Sequence, residues 1–304
     1  MEESFEKLSL EEPHKLSYKT QKILFQHFSL EQRAEFRKVP ETYKLQMETP
    51  YAVDSCTISQ SANSIEFALE NHFWKVTDGG EVIRGLTGNA ATYETFKTEL
   101  SKEEYMEKLV KMHLDREGII INTLKIKNHP YGLEGIVPFA KIYNFEWHCD
   151  IVSDRYDYTT WFSCIRNQSL SKVDIQLNSS CHNQIFLEPV ILGAKTLIVK
   201  CPEPLAPQTI ENFHGLNLKL NFSSVTREFL DAFYGKWKNG WADGEGKLEL
   251  VLADSEAKAT MRSFLKDVFS AGELGEMEQG SYVCNHLAGG QVKFVFAAAE
   301  VENQ

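Results

Sequence analysis

The chain has 304 residues, 42% of them hydrophobic and 25% charged, which is apolar material enough for a sizeable core. Its net charge of −11 argues against a nucleic acid or an anionic membrane surface as partner, since both are attracted by clustered Lys and Arg. No run approaches the roughly 18 apolar residues of a membrane-spanning helix, and the acidic stretch Met1-Glu2-Glu3-Ser4 lacks the apolar core of a signal peptide.

Cys56, Cys149, Cys164, Cys181, Cys201 and Cys284 are scattered singly, the usage expected of buried thiols in a reducing compartment and not of a disulfide framework. The sequons at Asn167, Asn178 and Asn221 would matter only in the secretory pathway. A soluble protein of the cytoplasm or nucleus is expected.

Residues 16–44 read as two short helices joined by a tight turn. The first is expected over residues 18–28, with Ser17 as N-cap, Ile23, Leu24 and Phe28 at helical spacing, and Phe25 broadening the stripe. Ser29-Leu30-Glu31-Gln32 is a capping box opening the second helix, which carries Ala34, Phe36 and Val39 and stops at Pro40. Isolated helices under about 12–15 residues are marginal in water, so this apolar stripe must be covered by the rest of the chain or by a partner.

The segment resembles the F-box. That motif opens on Leu-Pro, carries an Ile/Leu pair two turns on, closes its first helix with Leu and continues into an Arg/Val/Trp signature. Leu16, Ile23-Leu24, Phe28 and then Arg37, Val39 and Tyr43 take those places here, with Ser17 replacing the proline and Tyr43 the tryptophan. The resemblance implies that residues 1–46 dock a Skp-type adaptor protein through Leu16, Leu24, Phe25, Phe28 and Val39. A helical hairpin packed on the main domain is the alternative.

From Tyr51 the period changes. Residues 56–59, 64–69 and 72–76 read as short strands, Asp78-Gly79-Gly80 as a turn and residues 85–91 as loop. Ser101-Lys102-Glu103-Glu104 is a second capping box, opening a helix with Tyr105, Met106, Leu109 and Val110 on one face and Gly118 as its stop.

Six similar strands follow, at residues 123–127, 144–147, 172–177, 196–199, 217–220 and 247–251. Aligning Leu124, Phe145, Val173, Leu197, Leu218 and Leu248 gives steps of 21, 28, 24, 21 and 30 residues. Leucine-rich repeats recur at about 20–29 residues with one strand each. The connectors are long enough for helical crossovers, with Trp161, Phe162 and Ile165 in one and Phe229, Leu230, Phe233 and Trp237 in another. The Pro-rich segment from Cys201 to Pro207 makes the spacing uneven. The fold class expected is therefore α/β: a small helical hairpin, then an irregular leucine-rich-repeat-like stack of parallel strands and helices over residues 47–304. Near the end, Met261, Phe264, Leu265 and Val268 mark an amphipathic helix, and residues 282–287 and 292–299 a hairpin around Gly289-Gly290.

This order is similar to the F-box-associated families expanded in nematodes, which pair an N-terminal F-box with Leu-x-Ile strands and a Phe-Ser…Phe-Leu…Trp helix. The last reads here as Phe222-Ser223, Phe229-Leu230 and Trp237. The resemblance covers most of residues 16–252 and implies a non-enzymatic adaptor, the substrate-recruiting subunit of a Skp–cullin–RING ubiquitin ligase.

Sharper chemistry finds little support. Asp243-Gly244-Glu245-Gly246-Lys247 lacks the spacing of a phosphate loop and the following Ser or Thr. His148-Cys149 and Cys181-His182 are neighbours, so on a strand each pair offers one inward ligand, and a four-ligand zinc site is not expected. No Gly-x-Ser-x-Gly elbow occurs, and Asp150, Asp154 and Asp157 read as a solvated loop. No metal, cofactor or catalytic residue is expected, with an enzyme of unrecognised type, or a binding protein that has lost its F-box contact, as the alternative function. Tyr156, Tyr158 and Trp161 are candidate anchors for a protein target, because Tyr and Trp concentrate binding energy at interfaces.

Overall fold

A computed structural model describes residues 16–28, 32–33, 45, 48–87, 89–114, 118–128, 140–150, 162, 165, 169–178, 183–239, 246–252, 254–268, 274–275, 281–285 and 291–296. The architecture is α/β, built on one large mixed sheet. After helix α1 (Tyr18–Gln26) the chain enters strand β1 (Ala52–Gln60), then β2 (Ser64–Leu69), β3 (His72–Thr77), β4 (Glu81–Leu86) and β5 (Asn89–Lys97). These five form an antiparallel meander. Gly80, at φ 71°, makes the β3–β4 turn, and a side chain there would meet the Thr98 carbonyl oxygen at 2.6 Å. The loop expected at residues 85–91 is instead the end of β4, a tight turn and the start of β5. The β-formers Thr92, Tyr93, Thr95 and Phe96 lie beyond Gly85 and override its breaker signal.

Helix α2 (Lys102–Leu114) follows, packed on β2 and β3. Its capping box is realised: the Ser101 amide donates to Glu104 Oε2 at 3.1 Å and the Glu104 amide to Ser101 Oγ at 3.2 Å. The chain then returns through β6 (Ile120–Lys127), parallel to β1. Next come β7 (Lys141–Cys149), β8 (Lys172–Leu177), β9 (Thr196–Cys201), β10 (Asn217–Phe222) and β11 (Lys247–Leu252), each parallel to its predecessor. Between β8 and β9 lie a 3-10 turn (Asn183–Leu187) and α3 (Pro189–Leu192). Helices α4 (Pro207–Asn212) and α5 (Arg227–Lys238) follow β9 and β10, and α6 (Ser255–Val268) follows β11. Strands β12 (Leu274–Gly275), β13 (Ser281–Asn285) and β14 (Gln291–Phe296) complete one edge of a 14-stranded sheet, with β14 parallel to β11 and antiparallel to β13.

Right-handed crossovers that always step the same way across a sheet place every connection on one face. Burial agrees. Val173, Ile175 and Leu177 are buried, as are the inward residues of the neighbouring strands, and they share one core with Phe229, Leu230, Phe233 and Trp237 of α5. The residues aligned by sequence step are lateral neighbours: Leu124 with Phe145, then Val173, Leu197, Leu218 and Leu248. Both strand ends are tied across the sheet. Gly215 approaches the previous connection so closely that a side chain would lie 2.0 Å from the Ala194 carbonyl oxygen. At the opposite ends, Asn128 Nδ2 donates to the Gln60 carbonyl (3.0 Å), the Asp150 amide to Asn128 Oδ1 (3.1 Å), and Asn178 Nδ2 to Asp150 Oδ1 (2.9 Å).

Candidate functional site

Helix α1 carries the adaptor expectation, and the face of the sheet opposite the core forms a second accessible region. Helix α1 begins as expected, with Ser17 Oγ accepting from the Thr20 amide at 3.3 Å. Phe25 is fully buried within the chain, its ring tilted 40° to that of Phe28 with centroids 5.0 Å apart. Leu16, Leu24 and Phe28 are half-buried, while Tyr18 and Ile23 are about half exposed. Val39 and the second helix beyond Arg33 lie outside the described residues.

Arg33, only 2% exposed, locks this segment to the sheet. Its guanidinium donates to the carbonyl oxygens of Thr49 and Pro50, both at 3.1 Å, to that of Phe28 at 3.4 Å, and to that of Phe25. It also lies 5.0 Å over the Tyr51 ring, and the Tyr51 hydroxyl donates to the His113 carbonyl of α2. Sequence reasoning missed Arg33, because a lone Arg in an amphipathic segment has no signal separating it from solvated neighbours.

The face of β6–β11 opposite the core presents three lateral rows. The middle row runs Lys125, Glu146, Asp174, Ile198, Lys219, Glu249. Its carboxylates are engaged: Lys125 Nζ lies 3.0 Å from Glu146, Lys172 Nζ 2.9 Å from Asp174 and 3.9 Å from Glu146, and Lys219 Nζ 3.3 Å from Glu249. Gln176 Nε2 donates to Asp174 Oδ1 at 3.3 Å. The row nearest the strand C-termini runs Lys127, His148, Gln176, Lys200, Asn221, Val251 and holds no carboxylate. The polar alternation within each strand was the available signal for this face.

His148 is half-exposed and Cys149 buried, so the pair does point to opposite faces. Among the described residues no group of three or more His, Cys, Asp or Glu could hold a metal ion. Cys56, Cys149 and Cys201 are buried, and burial pushes the Cys56 thiol up to about 12. Cys181-His182, Asp154, Asp157, Tyr156, Tyr158 and Trp161 lie outside the described residues, as does most of the glycine-rich stretch at 240–246. Among the described residues no helix is long and apolar enough to cross a membrane.

On the helical side, a groove of about 910 Å³ lies between α4 and α5, with Glu211, His214, Glu228, Asp231 and Lys236 on its walls. Lys236 Nζ donates to the Glu211 carbonyl at 2.9 Å, and partial burial lowers its pKa against the pull of Glu211. The described lining thus holds carboxylates, an imidazole and an amine, and no hydroxyl or thiol. Comparison with family models, curated proteins and solved structures found no match to this chain.

Proposed function

We propose that this chain is a non-enzymatic protein-interaction adaptor, the substrate-recruiting subunit of a Skp–cullin–RING ubiquitin ligase. Its N-terminal helical segment docks a Skp-type adaptor, and a leucine-rich-repeat-like stack holds the target. The observation that carries the reading is the register of the sheet. Strands β6–β11 stand in chain order with their aligned apolar residues side by side, all inward, leaving an opposite face that is polar apart from Ile198 and Val251 and exposed or half-exposed apart from Asp174. Parallel sheets are ordinarily covered on both faces, and a one-sided stack is the arrangement repeat proteins use to hold extended partners.

Leu16, Leu24 and Phe28 remain accessible enough to serve as adaptor contacts, whereas Phe25 supports them from within the chain. Purified protein is expected to bind a Skp-type adaptor, and Leu24→Asp to abolish binding while the circular dichroism spectrum is kept. Absence of binding by the wild type rejects the ligase role. Burial of Phe25 and the hold of Arg33 on four carbonyls favour a second reading, in which the N-terminal segment belongs to the fold and the open face binds its target without a ligase. Target capture without adaptor binding distinguishes it.

A further inference from the structure

The open face differs in charge from the molecule that carries it. The whole chain has a net charge of −11, yet the outward positions of β6–β11 hold six lysines against three carboxylates. All three carboxylates are already in ion pairs with lysines of the same face. Lys127 and Lys200 in the row nearest the strand C-termini are exposed, and neither makes an ion pair among the described residues. Between them stand His148 and Gln176, both able to hydrogen-bond.

We infer that this row binds an extended, acidic segment of a protein partner lying across the strands, with two carboxylates answering Lys127 and Lys200. The inference rests on reading the open face as the capture surface and adds the chemistry of what is captured. Geometry sets the spacing. Lys127 and Lys200 are three strand steps apart, about 14 Å at roughly 4.8 Å per step. An extended peptide advances about 3.4 Å per residue, so its side chains four positions apart match that span and point the same way. An acidic residue at every fourth position is therefore the complementary pattern, with small polar residues between to meet His148 and Gln176.

The test uses the full chain and a fluorescent Ser/Thr peptide carrying Glu at every fourth position, read by anisotropy at low and high salt. The Glu peptide should bind, weaken as salt rises, and bind roughly tenfold more tightly than its Gln counterpart. Lys127→Glu/Lys200→Glu should lose the Glu peptide and accept a Lys counterpart, with an unchanged circular dichroism spectrum. Lys127→Gln/Lys200→Gln serves if the reversal disturbs folding, and should lose the Glu peptide without gaining the Lys one. Equal binding of Glu and Gln peptides overturns the inference, and so does retention of the Glu peptide by the double variants. Preference for single-stranded oligothymidylate over the Glu peptide overturns it in favour of a nucleic acid. Equal binding that is lost in Gln176→Trp removes the charge assignment but leaves the capture surface standing. Binding of neither peptide, with adaptor binding intact in the same sample, removes this face as the capture site and leaves the ligase role standing.

Discussion

Leu197 and Leu218 lie 21 residues apart in the chain and side by side in the sheet, paired in adjacent parallel strands with both side chains buried. The connection between them, through the Pro-rich turn and α4, lifts the chain off the sheet and returns it one strand over in the same register. A shift of one residue would turn every inward side chain outward, so the buried row itself enforces the register.

Leu218→Ala should therefore cost roughly 2–5 kcal/mol of unfolding free energy, since the cavity opens in a row packed from both sides. Lys219→Ala, on the next residue and the opposite face, loses only its exposed pair with Glu249 and should cost less than about 1 kcal/mol. Urea denaturation of the two variants checks the contrast, and similar losses would mean that the two faces are not distinguished as described.

Arg33→Ala leaves the carbonyls of Phe25, Phe28, Thr49 and Pro50 without this donor. Buried hydrogen bonds to a charged group are worth about 1.5–3 kcal/mol each, and the orphaned acceptors add to the loss. Hydrogen exchange should quicken in α1 while β8–β10 keep their protection. Uniform loss across the sheet would show that the N-terminal segment and the sheet unfold as one unit.

Ser101→Ala removes the N-cap of α2 and should cost about 1 kcal/mol. The Ser101 backbone N–H, with its hydroxyl, holds the Glu104 carboxyl below its ordinary pKa. A lowered pKa in the folded state means that this contribution is present above the ordinary carboxylate value and fades as pH falls through the folded one. Glu104→Gln should flatten the acid side of the stability curve, and an unchanged acid limb would contradict the box.

Burial raises the Cys56 thiol from 9.0 to about 12. Between those values the unfolded chain releases a proton that the folded chain keeps, so stability falls as pH rises through that window and is unaffected below it. Cys56→Ala should reduce the slope of stability against pH above 9. Thiol reagents at neutral pH should leave Cys56 unmodified until the protein unfolds.

Much of this was readable from residue spacing. Phe229, Leu230, Phe233 and Trp237 declared the buried face of α5 by their helical period. The step alignment from Leu124 to Leu248 anticipated a lateral row of the sheet, because inward positions recur at fixed places in strands of equal length. The β4–β5 hairpin was not legible, since Gly85 and the small polar residues after it carry turn chemistry whether they end a strand or bend one. Nor was the pairing of β1 with β6, which closes over an inserted meander and helix through contacts that no local pattern encodes. Arg33 was invisible for a related reason: its partners are backbone carbonyls, which have no sequence signature.

The most direct measurement is affinity purification of the tagged chain from cells, with mass spectrometry, beside Leu24→Asp and Lys127→Glu/Lys200→Glu. A Skp-type adaptor and a cullin should co-purify with the wild type and the lysine variant but not with Leu24→Asp. A separate protein with acidic stretches should follow the wild type and Leu24→Asp but not the lysine variant. Recovery of neither adaptor nor cullin with the wild type would contradict the ligase assignment, and a target indifferent to the lysine pair would contradict the open face as the site of capture.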